Sequence, residues 1–104
     1  MKKYKVRWHE NARISLHTIC DYIKNESAAA ADKIKTAIVK ETRSLKMLPE
    51  RNSRELFMDA SLGNFRFSVL WSYKIIYEVS DNEVVILDVF HTSRNPEEIK
   101  NIKP

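Results

Sequence analysis

Four stretches of the chain have the residue pattern of strands. In the first, residues 4–8, the apolar Tyr4, Val6 and Trp8 are separated by cations. This two-residue period is typical of a strand with one buried face. The other three stretches, residues 65–71, 73–79 and 84–90, are rich in β-branched and aromatic residues, which favour strands. The pattern therefore predicts four strands.

Between the first two strands the apolar period changes to that of a helix. Residues 16, 19, 20 and 23 are apolar and fall at i, i+3, i+4 and i+7, which predicts a helix from an N-cap at Asn11 to about Asn25. Ser27 can cap a second helix, whose apolar stripe runs to Leu48 and which Pro49 ends. Because few residues separate them, the two helices should form an antiparallel hairpin.

The predicted order is β-α-α-β-β-β, an α+β fold in which an antiparallel helical hairpin packs on a small, mostly antiparallel sheet. Residues 56–62 are predicted as loop, residues 95–99 as one helical turn, and Gly63 as a tight backbone site. Pairing of the last two strands around residues 80–83 should set Val79 opposite Val84. The same register puts Tyr77 beside Ile86 and Tyr73 beside Phe90. Trp8 and Trp71 are predicted to be core residues.

Length and composition narrow the classes of protein. A chain of 104 residues suits one hydrophobic core, so residues 1–104 are expected to form a single domain. No apolar run approaches the roughly 20 residues of a membrane span. The one cysteine, Cys20, cannot form an internal disulfide, which favours the reducing cytoplasm.

The net charge of +4 is unevenly distributed. Residues 1–52 carry twelve Lys or Arg and six acids, whereas residues 53–104 carry six Lys or Arg and eight acids. A nucleic-acid-binding protein would be expected to concentrate cations beside its reading or cutting site. Since the second half of the chain is net negative, the charge pattern argues mildly against simple RNA binding.

Three segments, in this order, resemble the RelE/ParE superfamily of bacterial toxins from type II toxin–antitoxin systems. They are the first strand and helix start, residues 4–12; the segment from Phe65-Arg66 through Tyr73 to Val79; and residues 84–96, a last strand followed by His91, Arg94 and Asn95-Pro96. The resemblance covers nearly the whole chain.

The resemblance implies a toxin that a small cognate antitoxin neutralises, so a hetero-oligomer of the two is expected. The partner should be an acidic segment with an amphipathic helix or strand, laid on the helical hairpin and the sheet edge. The superfamily has two branches. ParE-like members inhibit DNA gyrase by binding it, whereas RelE-like members are metal-independent endoribonucleases that cut mRNA in the ribosome.

Three residues match positions of the RNase branch. Arg66 would stabilise the charge of the transition state, His91 would transfer protons, and Arg94 would hold phosphate. Parity places Arg66 on the sheet face away from the core of Phe67 and Val69. Structural alternatives remain for each: Arg66 could pair with a carboxylate such as Asp88, His91 could be a strand-end histidine bonded to backbone, and Arg94 suits antitoxin or target binding.

Other cations are candidates for binding a substrate or target. Lys74 occupies a position where the superfamily has Arg or Lys, with a solvated strand residue as the alternative, and Arg51 and Arg54 loosely match basic residues between hairpin and sheet. No cofactor or metal is expected. His9, His17 and Cys20 lack a zinc-ligand spacing, and one glycine does not make a phosphate-binding loop.

One departure separates the branches. The RNase branch often has a tyrosine in its C-terminal segment, and residues 92–104 contain no aromatic residue. The sequence therefore favours a ParE-like gyrase inhibitor. The alternatives are a RelE-like endoribonuclease and an inactive member that only binds its antitoxin.

Overall fold

The structure is a computed structural model that describes residues 2–104. It contains two helices and four strands, joined by two short 3-10 helices at Pro49–Arg51 and Pro96–Asn101. In chain order the elements are β1 (Lys5–Trp8), α1 (Glu10–Lys24), α2 (Ala28–Ser44), β2 (Asn64–Leu70), β3 (Tyr73–Val79) and β4 (Glu83–His91). This order confirms the predicted α+β fold.

The four strands form one sheet in the order β1-β4-β3-β2. The strands β2, β3 and β4 make an antiparallel meander, as predicted, and β1 joins the free side of β4 in parallel. The two edge strands are therefore β1 and β2. A parallel neighbour needs a long crossover connection, and here the helical hairpin begins that connection.

The register of β3 and β4 follows the prediction over only half its length. Val79 lies opposite Val84 and Tyr77 opposite Ile86, as predicted, but Tyr73 lies opposite His91 and not opposite Phe90. The cause is an irregularity at Ile76/Tyr77, where β4 carries one extra residue. Such a β-bulge shifts every later pair by one position.

The first helix begins earlier than predicted. His9, with extended backbone angles, is the N-cap of α1, and its Nδ1 accepts a hydrogen bond from the Asn11 N–H at 3.1 Å. Asn11 therefore lies in the first turn of the helix and the prediction of an Asn11 cap is wrong. The cap of α2 is confirmed, because Ser27 Oγ accepts from the Ala30 N–H at 3.1 Å. None of the helices in residues 2–104 has the length and apolar character needed to span a membrane.

The two helices cover one face of the sheet and bury the larger core there. Fully buried side chains of that core include Ala12 of α1, Ile38 of α2, and Ile75, Tyr77 and Ile86 of the sheet. Trp8 packs against the same core, as predicted, although it is only partly buried. Burial of these side chains supplies most of the driving force for docking the hairpin on the sheet.

A second, smaller core covers the opposite face of the sheet. The loop at residues 56–62 contributes Met58, the C-terminal 3-10 helix contributes Ile99, and the sheet contributes Ile76, Leu87 and Phe90. Both faces of the central strands are therefore buried. This arrangement agrees with the run of consecutive apolar residues in β3, which is typical of a strand covered on both sides.

Trp71 is not a core residue, and that prediction is wrong. It occupies the two-residue turn between Leu70 and Tyr73, has a φ of 52°, and is 54% exposed. The strand β2 ends one residue before it, so Trp71 leaves the alternation that suggested burial.

Candidate functional site

Arg66 extends from β2 on the face that the helices cover. Its neighbour two residues on, Ser68, bonds to Glu41 of α2, which fixes the side of the sheet. The guanidinium donates to the backbone carbonyl of Asn52 at 2.7 Å and to that of Glu50 at 3.2 Å. Its side chain is only 15% exposed. Arg66 lies on the sheet face opposite to Phe67, as its parity predicted. The helices cover that face, so the expectation that Arg66 emerges on an open face is wrong.

The acidic partner of Arg66 is Glu50, whose Oε2 lies 3.4 Å from Nη2. The expected partner, Asp88, instead accepts a hydrogen bond from Ser15 Oγ of α1. Asp88 directly follows the extra residue of β4, next to the point where β1 has ended. A bulge changes the direction of nearby side chains, which accounts for the contact with α1.

His91 ends β4 and is held by its own turn. Its Nδ1 accepts a hydrogen bond from the Ser93 N–H at 3.0 Å, and Ser93 Oγ lies 2.7 Å from the same atom. The neutral ring must therefore carry its proton on Nε2. The ring also meets Tyr73 edge to face, with centroids 5.3 Å apart. The predicted backbone hydrogen bond of a strand-end histidine is confirmed.

Arg94 lies on the surface at the start of the tail. Its guanidinium stacks over the Phe90 ring at 4.3 Å from the centroid, and Nε contacts Glu98 Oε2 at 3.3 Å. The side chain is 48% exposed. An exposed pair of this kind is weak, so the guanidinium is available for another anion.

These three residues do not converge on one site. Arg66 pairs with Tyr77 across β2 and β3, whereas His91 pairs with Tyr73 across β3 and β4. The two partners are four residues apart on β3, so Arg66 and His91 are separated by about 13 Å along the sheet. A further strand lies between them in the other direction. They are too far apart to act on one phosphate in the geometry described.

The side chain of Lys74 is only 17% exposed, and the expectation of a solvated strand residue is wrong. Its Nζ lies 2.7 Å from Oε2 of Glu55, a side chain that is 1% exposed. The ammonium also sits 4.3 Å from the centroid of the Phe67 ring. Glu55 Oε2 has no other polar partner in residues 2–104, and its Oε1 accepts from the Phe57 N–H. Lys74 therefore neutralises a buried carboxylate that anchors the 56–62 loop.

Arg51 and Arg54 have different surroundings. Arg51 closes the end of α2, because its Nη1 donates to the carbonyls of Ser44 and Met47 at 3.2 and 2.7 Å. Cations at a helix C-terminus satisfy carbonyls that lack helical partners. Arg54 is exposed and makes only a long contact, 3.5 Å, to Asn64 Oδ1. Of the two, Arg54 is the more available to a partner.

A groove of about 380 Å³ lies between the two helices and the end of β1. Trp8, Leu16 and Val39 give it an apolar floor, and Arg13 and Lys35 add positive charge. Cys20 also lines it, and burial raises the pKa of that thiol. The sequence had indicated an apolar surface on the hairpin without locating this cleft. Such a cleft suits an amphipathic, acidic segment.

Metal ligands are not grouped in the part of the chain described. Within residues 2–104, no three His, Cys, Asp or Glu side chains lie close enough together to hold a metal ion. His9 is occupied as a helix cap, and His17 faces solvent beside Asp21 at 3.1 Å.

Comparison with solved structures shows the same architecture in toxin–antitoxin complexes. The chain is similar to a chain of the chromosomal ParDE system from P. aeruginosa, with a TM-score of 0.71 and 21% identity over 88% of this chain and 98% of that one. It is also similar to a chain of the RelBE2 toxin–antitoxin complex from Mycobacterium tuberculosis, with a TM-score of 0.66 and 26% identity over 90% and 97% of the two chains.

Sequence comparison is more specific. No curated protein matches the chain. A family model described as the ParE toxin of the type II toxin–antitoxin system parDE matches residues 6–96, which include both helices and all of the sheet except Lys5. The chain therefore belongs to the ParE toxin family of type II toxin–antitoxin systems, within the RelE/ParE superfamily.

Proposed function

We propose that the chain is a toxin that inhibits DNA gyrase by binding it and that it does not cut RNA. The supporting observation is the dispersal of the RNase candidates. Arg66 holds the connection after α2, His91 is bonded within its own turn, and about 13 Å of sheet separates their pairing positions. General acid–base catalysis of phosphodiester cleavage needs such groups around one phosphate.

The antitoxin is the second partner in this proposal. The two similar structures are a ParDE toxin–antitoxin system and a RelBE2 toxin–antitoxin complex. The groove between the helices has an apolar floor and two cations, Arg13 and Lys35, so it complements an acidic amphipathic segment. Toxin and antitoxin would form a hetero-oligomer in the cytoplasm, with residues 1–104 acting as one domain.

A direct assay tests the mode of action. The purified chain is added to DNA gyrase and relaxed plasmid, and supercoiling and cleaved DNA are followed; in parallel it is added to a translation extract and mRNA integrity is followed. We expect loss of supercoiling or accumulation of cleaved DNA with intact mRNA. Fragmented mRNA with normal supercoiling would overturn the proposal in favour of the RNase branch.

Two variants sharpen that assay. Arg94→Ala, at an exposed position, should leave gyrase inhibition unchanged, and so should His91→Gln. If instead the wild type cleaves mRNA and either variant does not, catalysis is the mode of action. A chain that affects neither gyrase nor mRNA, yet binds its antitoxin, would be an inactive member of the family.

A further inference from the structure

The turn between β2 and β3 presents two large apolar side chains to solvent. Trp71 is 54% exposed, and Val69, two residues earlier on the edge strand β2, is 58% exposed. We define the hairpin tip as residues 69–72. Val69 has the same parity as Phe67 and so faces the side of the second core, whereas the Trp71 ring lies near Lys33 of α2. The tip therefore exposes one apolar side chain on each side of the sheet edge.

The backbone of the tip is unfavourable for the residue it carries. Trp71 has a φ of 52°, in the left-handed region that glycine and asparagine occupy readily and bulky residues avoid. Two-residue hairpin turns normally place Gly, Asn or Asp at such a position. Backbone outliers of this kind cluster at binding sites, where the strain is retained for function. A tryptophan here is therefore more simply explained by contact with a partner than by folding.

The edge of β2 beside the tip is open. Farther down, residues 53–55 cover the edge: the Phe65 carbonyl accepts from the Glu55 N–H at 2.8 Å, and the Phe67 N–H donates to the Ser53 carbonyl at 3.1 Å. The same two-residue period directs the Val69 N–H and carbonyl outward. No residue of the described chain, 2–104, bonds them from outside the sheet. An extended segment could continue the edge that residues 53–55 begin.

Positive charge flanks this open edge. Lys33 of α2 lies 5.7 Å from the centroid of the Trp71 ring, and Lys40 falls two helical turns later on the same face. Neither lysine forms an ion pair within residues 2–104. The nearby acid, Glu41, is already bonded to Ser68 Oγ at 2.6 Å. The flank therefore complements a partner that carries carboxylates.

We propose that the toxin binds its protein target through the hairpin tip. The occupant would be an extended, acidic edge segment of that target, which pairs with Val69, buries Trp71 and presents a carboxylate to Lys33. Tryptophan is the residue type most enriched among interface hot spots, and strand addition gives main-chain hydrogen bonds. The inference rests on the proposed function in that the target is a protein.

The tip is separate from the groove proposed for the antitoxin. The groove is lined by Trp8 and by residues of α1 and α2, and it shares no residue with 69–72. The groove is concave and suits a helix, whereas the tip offers a strand edge. Separate surfaces allow changes in one interaction to be measured without the other.

The test compares two variants at matched positions. Trp71→Asn removes the indole and supplies a residue that tolerates the left-handed conformation. Leu48→Asn likewise introduces asparagine in place of an apolar residue with a positive φ, 50°, the second such residue within 2–104. Leu48 is 61% exposed but lies beyond the end of α2. Each variant is measured for its melting temperature, for growth inhibition per amount of toxin expressed, and for affinity to the antitoxin encoded beside it.

We expect Trp71→Asn to weaken growth inhibition at least about tenfold, as loss of a hot spot does, while antitoxin affinity stays within about twofold. Leu48→Asn should change neither, and Trp71→Phe should retain most of the inhibition. Unchanged inhibition by Trp71→Asn would overturn the assignment, and so would a tenfold loss of antitoxin affinity. If Trp71→Asn no longer inhibits growth but the wild type leaves gyrase unaffected, the hairpin tip is still the target-binding surface and gyrase is the wrong target.

Discussion

Tyr73 lies directly opposite His91 in the pairing of β3 and β4, and the two rings meet edge to face with centroids 5.3 Å apart. The contact depends on the extra residue of β4, because an unbroken register would have put Phe90 at that position. A histidine next to a tyrosine was missing from the C-terminal sequence, yet the sheet supplies one. The phenol is buried, and burial raises the pKa of Tyr73, so it is poorly suited to donate a proton at neutral pH.

His91→Ala should therefore affect stability and not toxicity. The variant loses the aromatic contact and the acceptor for the Ser93 N–H, so we expect a loss of about 1–2 kcal/mol in the free energy of unfolding. Urea denaturation measures the change. Growth inhibition should persist at a temperature where the variant is folded; its abolition in a folded variant would point to a chemical role for the imidazole.

Arg66→Ala should destabilise the fold, because the side chain joins β2 to the connection after α2. Removing it leaves the carbonyls of Asn52 and Glu50 without this donor, at a cost of ~2 kcal/mol. The matched control is Arg94→Ala, whose exposed ion pair should contribute less than about 0.5 kcal/mol. Equal losses from the two variants in urea denaturation would contradict the structural role assigned to Arg66.

The buried pair of Glu55 and Lys74 gives a third prediction. Lys74→Met leaves a carboxylate uncompensated in the second core, so a loss of about 3 kcal/mol is expected. Adding Glu55→Gln removes the stranded charge. The double variant should be more stable than the sum of the two single losses predicts, by more than about 1 kcal/mol. Strict additivity in the double-mutant cycle would mean that the pair is not coupled.

The contribution of Tyr77 to the free energy of unfolding should be lost at alkaline pH. Its hydroxyl donates to the Pro49 carbonyl at 2.6 Å, and burial raises its pKa, an effect that the Asn52 hydrogen bond partly opposes. A folded-state pKa above the unfolded value of about 10 means that the stabilisation is complete below that pH and is lost as pH rises through the folded pKa.

Replacement by phenylalanine tests this assignment. At neutral pH, Tyr77→Phe should lower the free energy of unfolding by about 1–2 kcal/mol, because the Pro49 carbonyl loses its donor. Above the unfolded pKa the difference between wild type and variant should shrink. A difference that stays constant into the alkaline range would show that the phenol does not titrate with unfolding.

An acid-side prediction comes from the ion pair that links β1 to β4. The hydrogen bond and charge of Arg7 lower the pKa of Glu83, with Nη2 and Oε1 3.0 Å apart. Because the folded-state pKa is lowered, the ion pair stabilises the fold above the unfolded pKa of about 4.3. This stabilisation is lost as pH falls through the folded pKa. Wild type should therefore melt above Glu83→Gln at pH 7 and equal it in strong acid. A persistent gap in thermal melts at low pH would exclude this cause.

The fold could be predicted from the sequence where local signals were strong. The turn at residues 80–83 fixed the first pairs, Val79 with Val84 and Tyr77 with Ile86. At Gly63 a Cβ would lie 2.6 Å from Glu78 Oε2, the flexible end of a side chain, and its φ is not positive, so the tight backbone site stays a prediction. The bulge could not be predicted, because residues 84–90 are apolar except for Asp88 and carry no alternation that would reveal an extra residue. His9 was missed as a cap because histidine is rare at that position.

The candidate site was harder to predict because its residues depend on long-range contacts. The sequence correctly placed Arg66 and Phe67 on opposite faces of the sheet. It predicted a cover of helices on one face only, so the other face was expected to be open. The consecutive apolar residues Ile75 and Ile76 were the available signal that both faces are buried. Nothing local connects Lys74 to Glu55, nineteen positions earlier. Trp71 continued the alternation of β2 in sequence, and only the turn geometry exposed it.

The parallel pairing of β1 with β4 sets the order in which the chain can finish folding. Val6 lies beside Val84, so the edge strand β1, although synthesised before β4, has no partner until residues 83–86 have left the ribosome. Contacts this far apart in sequence also slow folding, because a long loop must close before they form. The sheet can therefore be completed only after both helices and the strands β2 and β3 have been synthesised. Until then β1 of a nascent chain has no strand to pair with.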